Sequence, residues 1–369
     1  MSYPHAIRLR GPWEIEPLVR YLGEQNGGWS ESTEQLPPKG RVKPPGDWGE
    51  SLGADFRGRA RYTRRFRQPS GLETRERVWL VIEGVDASGC VQLNGQRLGD
   101  VHGYALRASF DVTERLQPQN ELVIDVDLPP ELGDSENRSR PGRARKPGGL
   151  IREVRLEIRR EISIERLAIW VSHEEPRLHA SAEVMGHASS TLNLFVKGLR
   201  REIYFGEVQP GKKFEISADI ADLPKWSSGS PGSLEPIEVQ LLHGGETLWQ
   251  TARPTAFRPM EWDGTSRLAV GEGEDSLPLL PASATEAAKI LVPDTPFFAA
   301  EILPDQSYDR FDALAIPLVQ SVPVAWAGEV CPRLAHHPSI IAWSATKMEA
   351  ANASIGEQGD SFVGRPWLR

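Results

Sequence analysis

The chain has 369 residues and a net charge of −8, with 39% apolar and 25% charged residues. This length predicts two or three domains, and the negative charge argues against a nucleic-acid partner, which needs a basic face. No run approaches the roughly 18 apolar residues that cross a bilayer, the N-terminus lacks a secretory apolar segment, and Cys90 and Cys331 form neither a disulfide framework nor a metal site. We therefore expect a cytoplasmic protein with no membrane partner, no metal and no cofactor.

Residues 1–158 carry short strand patterns separated by turn residues. The apolar run Arg77–Ile82 predicts an internal strand, and Glu121–Asp127 alternates as a strand does. Between them, Val91–Leu93 meets Asn94-Gly95, the dipeptide that favours a type I′ hairpin turn. Such runs with few helical patterns predict an antiparallel jelly roll. Its predicted core residues are Val78, Leu80, Ile82, Leu93, Leu122, Ile124 and Val126.

Residues 159–258 are again rich in strand patterns, separated by clusters of Gly, Pro and Ser. The predicted strands are 166–172, 191–197, 213–217 and 237–242. This rhythm predicts a small sandwich of the immunoglobulin-like architecture, although the Cys…Trp…Cys signature of antibody domains is missing from the sequence.

Residues 259–369 change character, because apolar strands here alternate with helices. The predicted strands are 289–292, 316–320 and 339–343, and the predicted helices are 307–314 and 325–334. This alternation predicts a parallel α/β section. Asp309 and Asp312 lie one turn apart on the first helix, where a solvated face is the simplest interpretation. His336 and His337 are adjacent on an extended segment, so we expect their side chains to point apart rather than to bind a metal.

Four strings in the first section occur in an order that is known from one family. Arg61–Phe66 contains Y-x-R-x-F, Glu83–Gly99 contains G-V…V-x-L-N-G…L-G, and Phe110–Leu122 contains F-D-V-T…N-x-L. Gly148–Val154 is similar to the G-G-I-x-R-x-V string that closes the same domain. Together they resemble the sugar-binding jelly roll of glycoside hydrolase family 2, the family of β-galactosidases and β-glucuronidases.

The third section resembles the start of that family's TIM barrel. His337–Ser344 is similar to N-H-P-S-I-x-x-W-S-x-x-N-E of barrel strand four, and Asp309–Pro323 to the preceding helix and strand. The resemblance implies a mainly β protein with a small α/β part: a galactose-binding-like jelly roll (1–158), an immunoglobulin-like sandwich (159–258) and a barrel remnant (259–369). We expect this barrel to be truncated, because complete ones take about 250 residues.

The resemblance also locates the catalytic positions. A retaining glycosidase needs two carboxyl groups about 5–5.5 Å apart, one acting as acid/base and one as nucleophile. The acid/base place holds Met348, whose thioether has no proton to transfer. Glu349 is the remaining catalytic candidate, if the loop is shifted by one residue, and the nucleophile strand is expected to be missing. The sequence is therefore interpreted as that of a non-catalytic relative.

Such a relative would act in carbohydrate recognition or protein association. The alternatives are an active β-glycosidase, completed by a partner chain or by Glu349, and a structural interaction protein that no longer binds sugar. Trp79 and Trp343 lie in apolar strands and are predicted core residues. Open sheet edges in the α/β section predict packing on the sandwich or homodimer formation. The tryptophans in polar surroundings, predicted to be exposed sugar-binding platforms, are Trp13, Trp29, Trp48 and Trp226.

Overall fold

The computed structural model describes residues 4–23, 29–130, 147–186, 191–227, 234–259 and 296–345, together with the short segments 269–270, 276–277, 361–362 and 365–368. The chain divides into two compact units, Tyr3–Arg160 and Glu161–Arg369. None of the helices in the described part of the chain has the length and apolar character that crossing a bilayer requires.

The first unit is a sandwich of two antiparallel sheets, as predicted for the jelly roll. Its strands are β1 His5–Arg8, β2 Trp13–Gly23, β3 Trp29–Ser32, β4 Gly40–Val42, β5 Gly58–Arg67, β6 Glu76–Ile82, β7 Ser88–Leu93, β8 Gln96–His102, β9 Ala108–Asp111, β10 Gln119–Leu128 and β11 Val154–Arg160. One sheet has the order β1-β11-β6-β9, and the other has the order β3-β2-β5-β10-β7-β8, with β4 paired to β2. Helix α1 (Gly49–Leu52) and the 3₁₀ turn Thr113–Arg115 complete the described elements of this unit.

The core of the first unit follows from strand alternation. All seven predicted core residues are at most 1% exposed, and the predicted internal strand is β6, which lies between β11 and β9. Asn94 and Gly95 both have positive φ, 52° and 77°, as a type I′ turn between β7 and β8 requires. The prediction for Trp79 is wrong: this side chain is only half-buried, and the Arg159 guanidinium lies 4.9 Å from its ring centroid.

The second unit begins with an immunoglobulin-like sandwich of three and four antiparallel strands. Its strands are β12 Ser163–Val171, β13 Arg177–Met185, β14 Leu192–Gly198, β15 Arg201–Val208, β16 Lys213–Asp219, β17 Glu235–His243 and β18 Glu246–Thr255. The sheets have the orders β12-β13-β16 and β15-β14-β17-β18. Their inward side chains, mostly Val, Leu, Ile and Ala, form one apolar core.

The rest of the second unit is an α/β section. Its elements are β19 Ala269–Val270, β20 Ser276–Leu277, β21 Phe297–Ala299, α2 Asp305–Ala313, β22 Leu318–Val322, the 3₁₀ turn Val324–Trp326, α3 Ala327–Leu334, β23 Ile340–Ala345, β24 Ser361–Phe362 and β25 Arg365–Leu368. Strands β21, β22, β23 and β25 are parallel neighbours in this order, and β24 pairs antiparallel with β25. The predicted strand 289–292 lies outside the described residues.

The α/β section packs on the sandwich within the second unit. Helix α3 lies against β12. The indole of Trp226 donates from Nε1 to the carbonyl oxygen of Asp312 at 2.9 Å, and it packs with Ala256 and Ala315 in a small buried cluster. These contacts pack the section on the sandwich through α3 and the end of α2, whereas packing through its open sheet edges and the homodimer stay predictions.

Candidate functional site

Three of the four tryptophans proposed as binding platforms are core residues. Trp13, Trp48 and Trp226 are each 0% exposed, so the expectation of exposure is wrong and none can stack on a sugar ring. Trp13 points inward from β2 and donates to the Leu9 carbonyl oxygen at 2.9 Å, and Trp48 packs edge-on against Phe56. The residues next to these tryptophans in sequence are polar and suggest exposure. The tryptophan side chains themselves nevertheless point into the core.

Trp29 is half-buried and lies on the outer face of the larger sheet in the first unit. Strand β3 pairs with the end of β2, which places Trp29 opposite Gly23. Its ring centroid is 4.3 Å from that of Tyr21, and the two ring planes are tilted by 50°. Trp29 therefore keeps part of its surface accessible while Tyr21 supports it from below.

Charged side chains from three strands lie around the Tyr21 hydroxyl or contact one another there. The Tyr21 hydroxyl donates to Asp127 Oδ1. Arg59 lies opposite Asp127 in the pairing of β5 with β10, and its Nη2 is 3.4 Å from Glu31 Oε1 and 3.6 Å from Asp127 Oδ2. Burial, followed by the hydrogen bond to Asp127, raises the pKa of Tyr21, so its phenol remains a donor at neutral pH. We call these five residues, Tyr21, Trp29, Glu31, Arg59 and Asp127, the Trp29 cluster.

The Trp29 cluster combines a flat apolar surface with charged hydrogen-bonding groups at its edge. Such a surface can pack against the C–H face of a sugar ring while guanidinium and carboxylate groups bind its hydroxyls. Sequence reasoning identified Trp29 but missed the other four residues, which lie on β2, β3, β5 and β10. The available signal was the alternation of charged with apolar residues along β5 and β10.

A second polar cluster is buried in the α/β section, around Asp312 of α2. Asp312 Oδ2 lies 2.7 Å from His337 Nδ1, and Asp312 Oδ1 accepts a 2.9 Å hydrogen bond from the backbone N–H of Ser339. Asp312 is 0% exposed, so the interpretation of a solvated helix face is wrong for this residue, although Asp309 is exposed. The rings of His336 and His337 are 3.9 Å apart, so the expectation that these side chains point apart is also wrong.

Tyr308 and Gln320 extend this buried polar cluster. The Tyr308 hydroxyl donates to Gln320 Oε1 at 2.6 Å and accepts from the Leu303 N–H at 3.0 Å. Gln320 Nε2 in turn donates to the carbonyl oxygens of Ala299 and Glu301, at 3.2 and 3.1 Å. These bonds hold β21, α2 and β22 together, so Tyr308 and Gln320 have a structural role.

Comparisons with known proteins agree on the fold. Residues 56–163 match the family model described as the glycosyl hydrolase 2 galactose-binding domain-like domain. Three structures resemble the chain: Bifidobacterium dentium β-glucuronidase (TM-score 0.62, 18% identity), β-D-mannosidase from Dictyoglomus thermophilum (0.65, 16%) and a β-glucuronidase from glycoside hydrolase family 2 (0.66, 14%). This chain has a glycosyl hydrolase family 2-like fold. The resemblance stated from the sequence is thereby confirmed.

The likeness covers most of this family 2-like chain but only part of each neighbour. It spans 93%, 92% and 93% of the chain, and 69%, 52% and 43% of the B. dentium enzyme, the mannosidase and the family 2 β-glucuronidase, respectively. No curated protein sequence matches the chain. At identities this low, the likeness establishes the fold and leaves the activity open.

The positions that resemble the family's acid/base lie just beyond β23. This strand carries Trp343, which is fully buried as predicted, and ends at Ala345. Met348 and Glu349 are outside the described residues, so their assignment from the sequence stays a prediction.

Proposed function

We propose that this family 2-like protein binds carbohydrate without hydrolysing it, and that the Trp29 cluster is the sugar site. The observation that carries this proposal is the half-buried indole of Trp29, which packs on Tyr21, whose hydroxyl in turn lies beside Arg59 and its contact to Glu31. The galactose-binding-like fold of residues 56–163 supports it.

Binding would use both properties of this cluster. The apolar face of a pyranose would pack on the indole of Trp29, and its hydroxyls would accept hydrogen bonds from Arg59 and donate to Glu31. The 3.4 Å contact between these two side chains is long, and both are partly exposed, so either can turn toward a ligand at little cost. Asp127, held by the Tyr21 hydroxyl, keeps Arg59 near the site.

The absence of hydrolysis is proposed from Met348, which has no proton to give to a leaving oxygen. The structural neighbours are described as β-glucuronidases and a β-D-mannosidase, so hydrolysis is the alternative function. For this chain it would depend on Glu349 or on a partner chain. Release of 4-nitrophenol from aryl β-glycosides by the purified protein that disappears in Glu349→Gln would establish that alternative.

The binding proposal is tested with an array of glucuronate-, galactose- and mannose-containing oligosaccharides, followed by calorimetry on each ligand found. Trp29→Ala should weaken binding at least tenfold, because the stacking surface is lost. Trp170→Ala is the matched control: Trp170 is also half-buried, but it stacks on His179 in the second unit, so its removal should leave the affinity unchanged.

Equal losses in both variants, or unchanged binding in Trp29→Ala, would contradict the assignment of the site. Wild-type protein that binds no glycan would instead favour protein association as the function. A cytoplasmic location is part of the same proposal, since the thiols Cys90 and Cys331 are both free.

A further inference from the structure

Three metal-ligating side chains converge at the surface of the α/β section. Asp309 and Asp312 are one turn apart on α2, and His337 approaches from the turn before β23. Each residue offers one ligand atom, and these atoms lie within 4.8 Å of one another. Asp312 and His337 are buried, whereas Asp309 is exposed, so the group has a solvent-facing entrance.

The charge of this group calls for a cation. The Asp312 carboxylate is fully buried, and the His337 imidazole is the cationic or hydrogen-bonding side chain paired with it. Asp309 places a second carboxylate beside it. Two neighbouring carboxylates therefore face one imidazole.

A further buried oxygen belongs to the same group. Ser339 is 0% exposed, and its Oγ has no hydrogen-bond partner among the described residues. The backbone N–H of this same serine holds Asp312 Oδ1 at 2.9 Å. Buried hydroxyls are nearly always hydrogen-bonded, so an orphaned one on the residue whose N–H binds Asp312 supports a further partner at this group.

We propose that Asp309, Asp312 and His337 form a binding site for a divalent transition-metal cation. Mixed imidazole and carboxylate ligands suit Zn²⁺ or Mn²⁺ better than Mg²⁺, which prefers oxygen ligands and water. The Ser339 N–H orients the Asp312 carboxylate, as supporting hydrogen bonds do at metal sites. The imidazole binds through an unprotonated ring nitrogen, so any proton on that nitrogen is released to solvent when the cation enters.

The test uses the full chain without an affinity tag, freed of metal by a chelator and titrated with MnCl₂ in a calorimeter. We expect one saturable site per chain. Asp309→Asn should weaken binding at least tenfold, and because Asp309 is exposed this variant should fold normally. Asp305→Asn is the matched control: it makes the same change of charge on the same helix, outside the cluster, and should leave the affinity within twofold of wild type.

Two results would overturn the site. One is the lack of saturable binding, which would leave Asp312 and His337 as a structural ion pair. The other is an equal loss of affinity in Asp305→Asn and Asp309→Asn, which would show that Mn²⁺ is attracted only by diffuse charge. Substitution with Co²⁺ adds a spectroscopic readout, because visible absorption shifted from that of the aqueous ion indicates nitrogen ligation. A spectrum identical to aqueous Co²⁺ would exclude His337 as a ligand.

Discussion

The jelly roll of the first unit and the α/β section of the second unit are stabilised in different ways. The jelly roll has an apolar core, supplied by the inward side chains of alternating strands such as β6 and β10. The interior of the α/β section contains polar groups that bond to one another, chiefly Asp312 with His337 and Tyr308 with Gln320. An apolar core accepts other apolar side chains of similar volume at most positions. A buried polar network loses stability when any one of its hydrogen-bonding partners is removed.

The same difference decides what could be predicted from the sequence. Alternation identified the buried residues of β6 and β10 because one apolar face is enough to define a strand's orientation. It missed β13, whose inward residues include the small Ala180 and Ala182, and β15, an edge strand rich in charged residues. Their positions depend on pairing with neighbouring strands.

For the candidate sites, the sequence identified single residues but not which residues lie next to one another in the fold. Trp29 was identified by its surroundings in sequence, whereas Arg59 and Asp127 join it only through the pairing of β5 with β10. Asp312 and His337 were each noted, but their contact depends on how α2 packs beside the turn before β23. Long-range packing of this kind leaves no local periodicity in the sequence.

Removing the centre of the polar network in the α/β section should have the largest effect on stability. Asp312→Ala removes the carboxylate that binds the buried His337 imidazole and the Ser339 N–H, so it should cost about 3–5 kcal/mol of unfolding free energy in the second unit. Asp309→Ala, on the exposed side of the same helix, should cost under about 1 kcal/mol. Urea unfolding of both variants measures the difference, and equal losses would show that Asp312 is not the centre of the network.

In the jelly roll, the comparable substitution removes apolar side-chain volume from the core rather than a hydrogen-bonding group. Ile124→Ala should cost about 2–5 kcal/mol, because Ile124 is 0% exposed and faces the core from β10. Gln119→Ala, at the exposed start of the same strand, is the control and should stay within about 0.5 kcal/mol. A loss below half a kcal/mol in Ile124→Ala would mean that the register of β10 is wrong.

A smaller effect is expected when a single hydroxyl is removed from the network. Tyr308→Phe removes the donor to Gln320 Oε1 and an acceptor of the Leu303 N–H, so it should cost about 1–3 kcal/mol although the packing volume barely changes. Tyr204→Phe, on edge strand β15, should stay within about 0.5 kcal/mol. Thermal unfolding of the two variants under identical conditions provides the measurement. Equal melting temperatures would show that the Tyr308 hydroxyl does not stabilise the network.

Dependence on pH sharpens the comparison between the two units. In the first, burial alone would raise the pKa of Glu157, but Arg107, Arg159 and Arg155 outweigh it and lower the pKa. A lowered carboxyl pKa adds stability above the ordinary value of about 4.5, and this contribution is lost as the pH falls through the folded value. The stability that Glu157 contributes to the first unit should therefore decline as the pH falls below about 4.5, and Glu157→Gln should reduce this decline in acid unfolding measurements.

The sandwich of the second unit should respond at a higher pH. Burial, and then Arg177, lower the pKa of His179. In the unfolded chain the pKa of His179 is about 6.5, so below this pH the unfolded chain binds a proton that the folded ring does not. The free energy of unfolding therefore falls with pH until the folded ring is protonated as well. His179→Gln should reduce the stability difference between pH 7.5 and pH 5.5 by less than about 1 kcal/mol, since the ring is partly solvated. An unchanged difference would exclude His179 as the titrating group.

The central claim is that this family 2-like protein binds sugar and leaves it intact. Mass spectrometry after prolonged incubation of the purified chain with an oligosaccharide that it binds tests both halves of the claim in one measurement. The account predicts that the bound glycan is recovered at its original mass, and that Trp29→Ala retains far less of it than wild type or Trp170→Ala. A shortened, hydrolysed product formed by wild type and not by Glu349→Gln would contradict the claim and identify the protein as an active glycosidase.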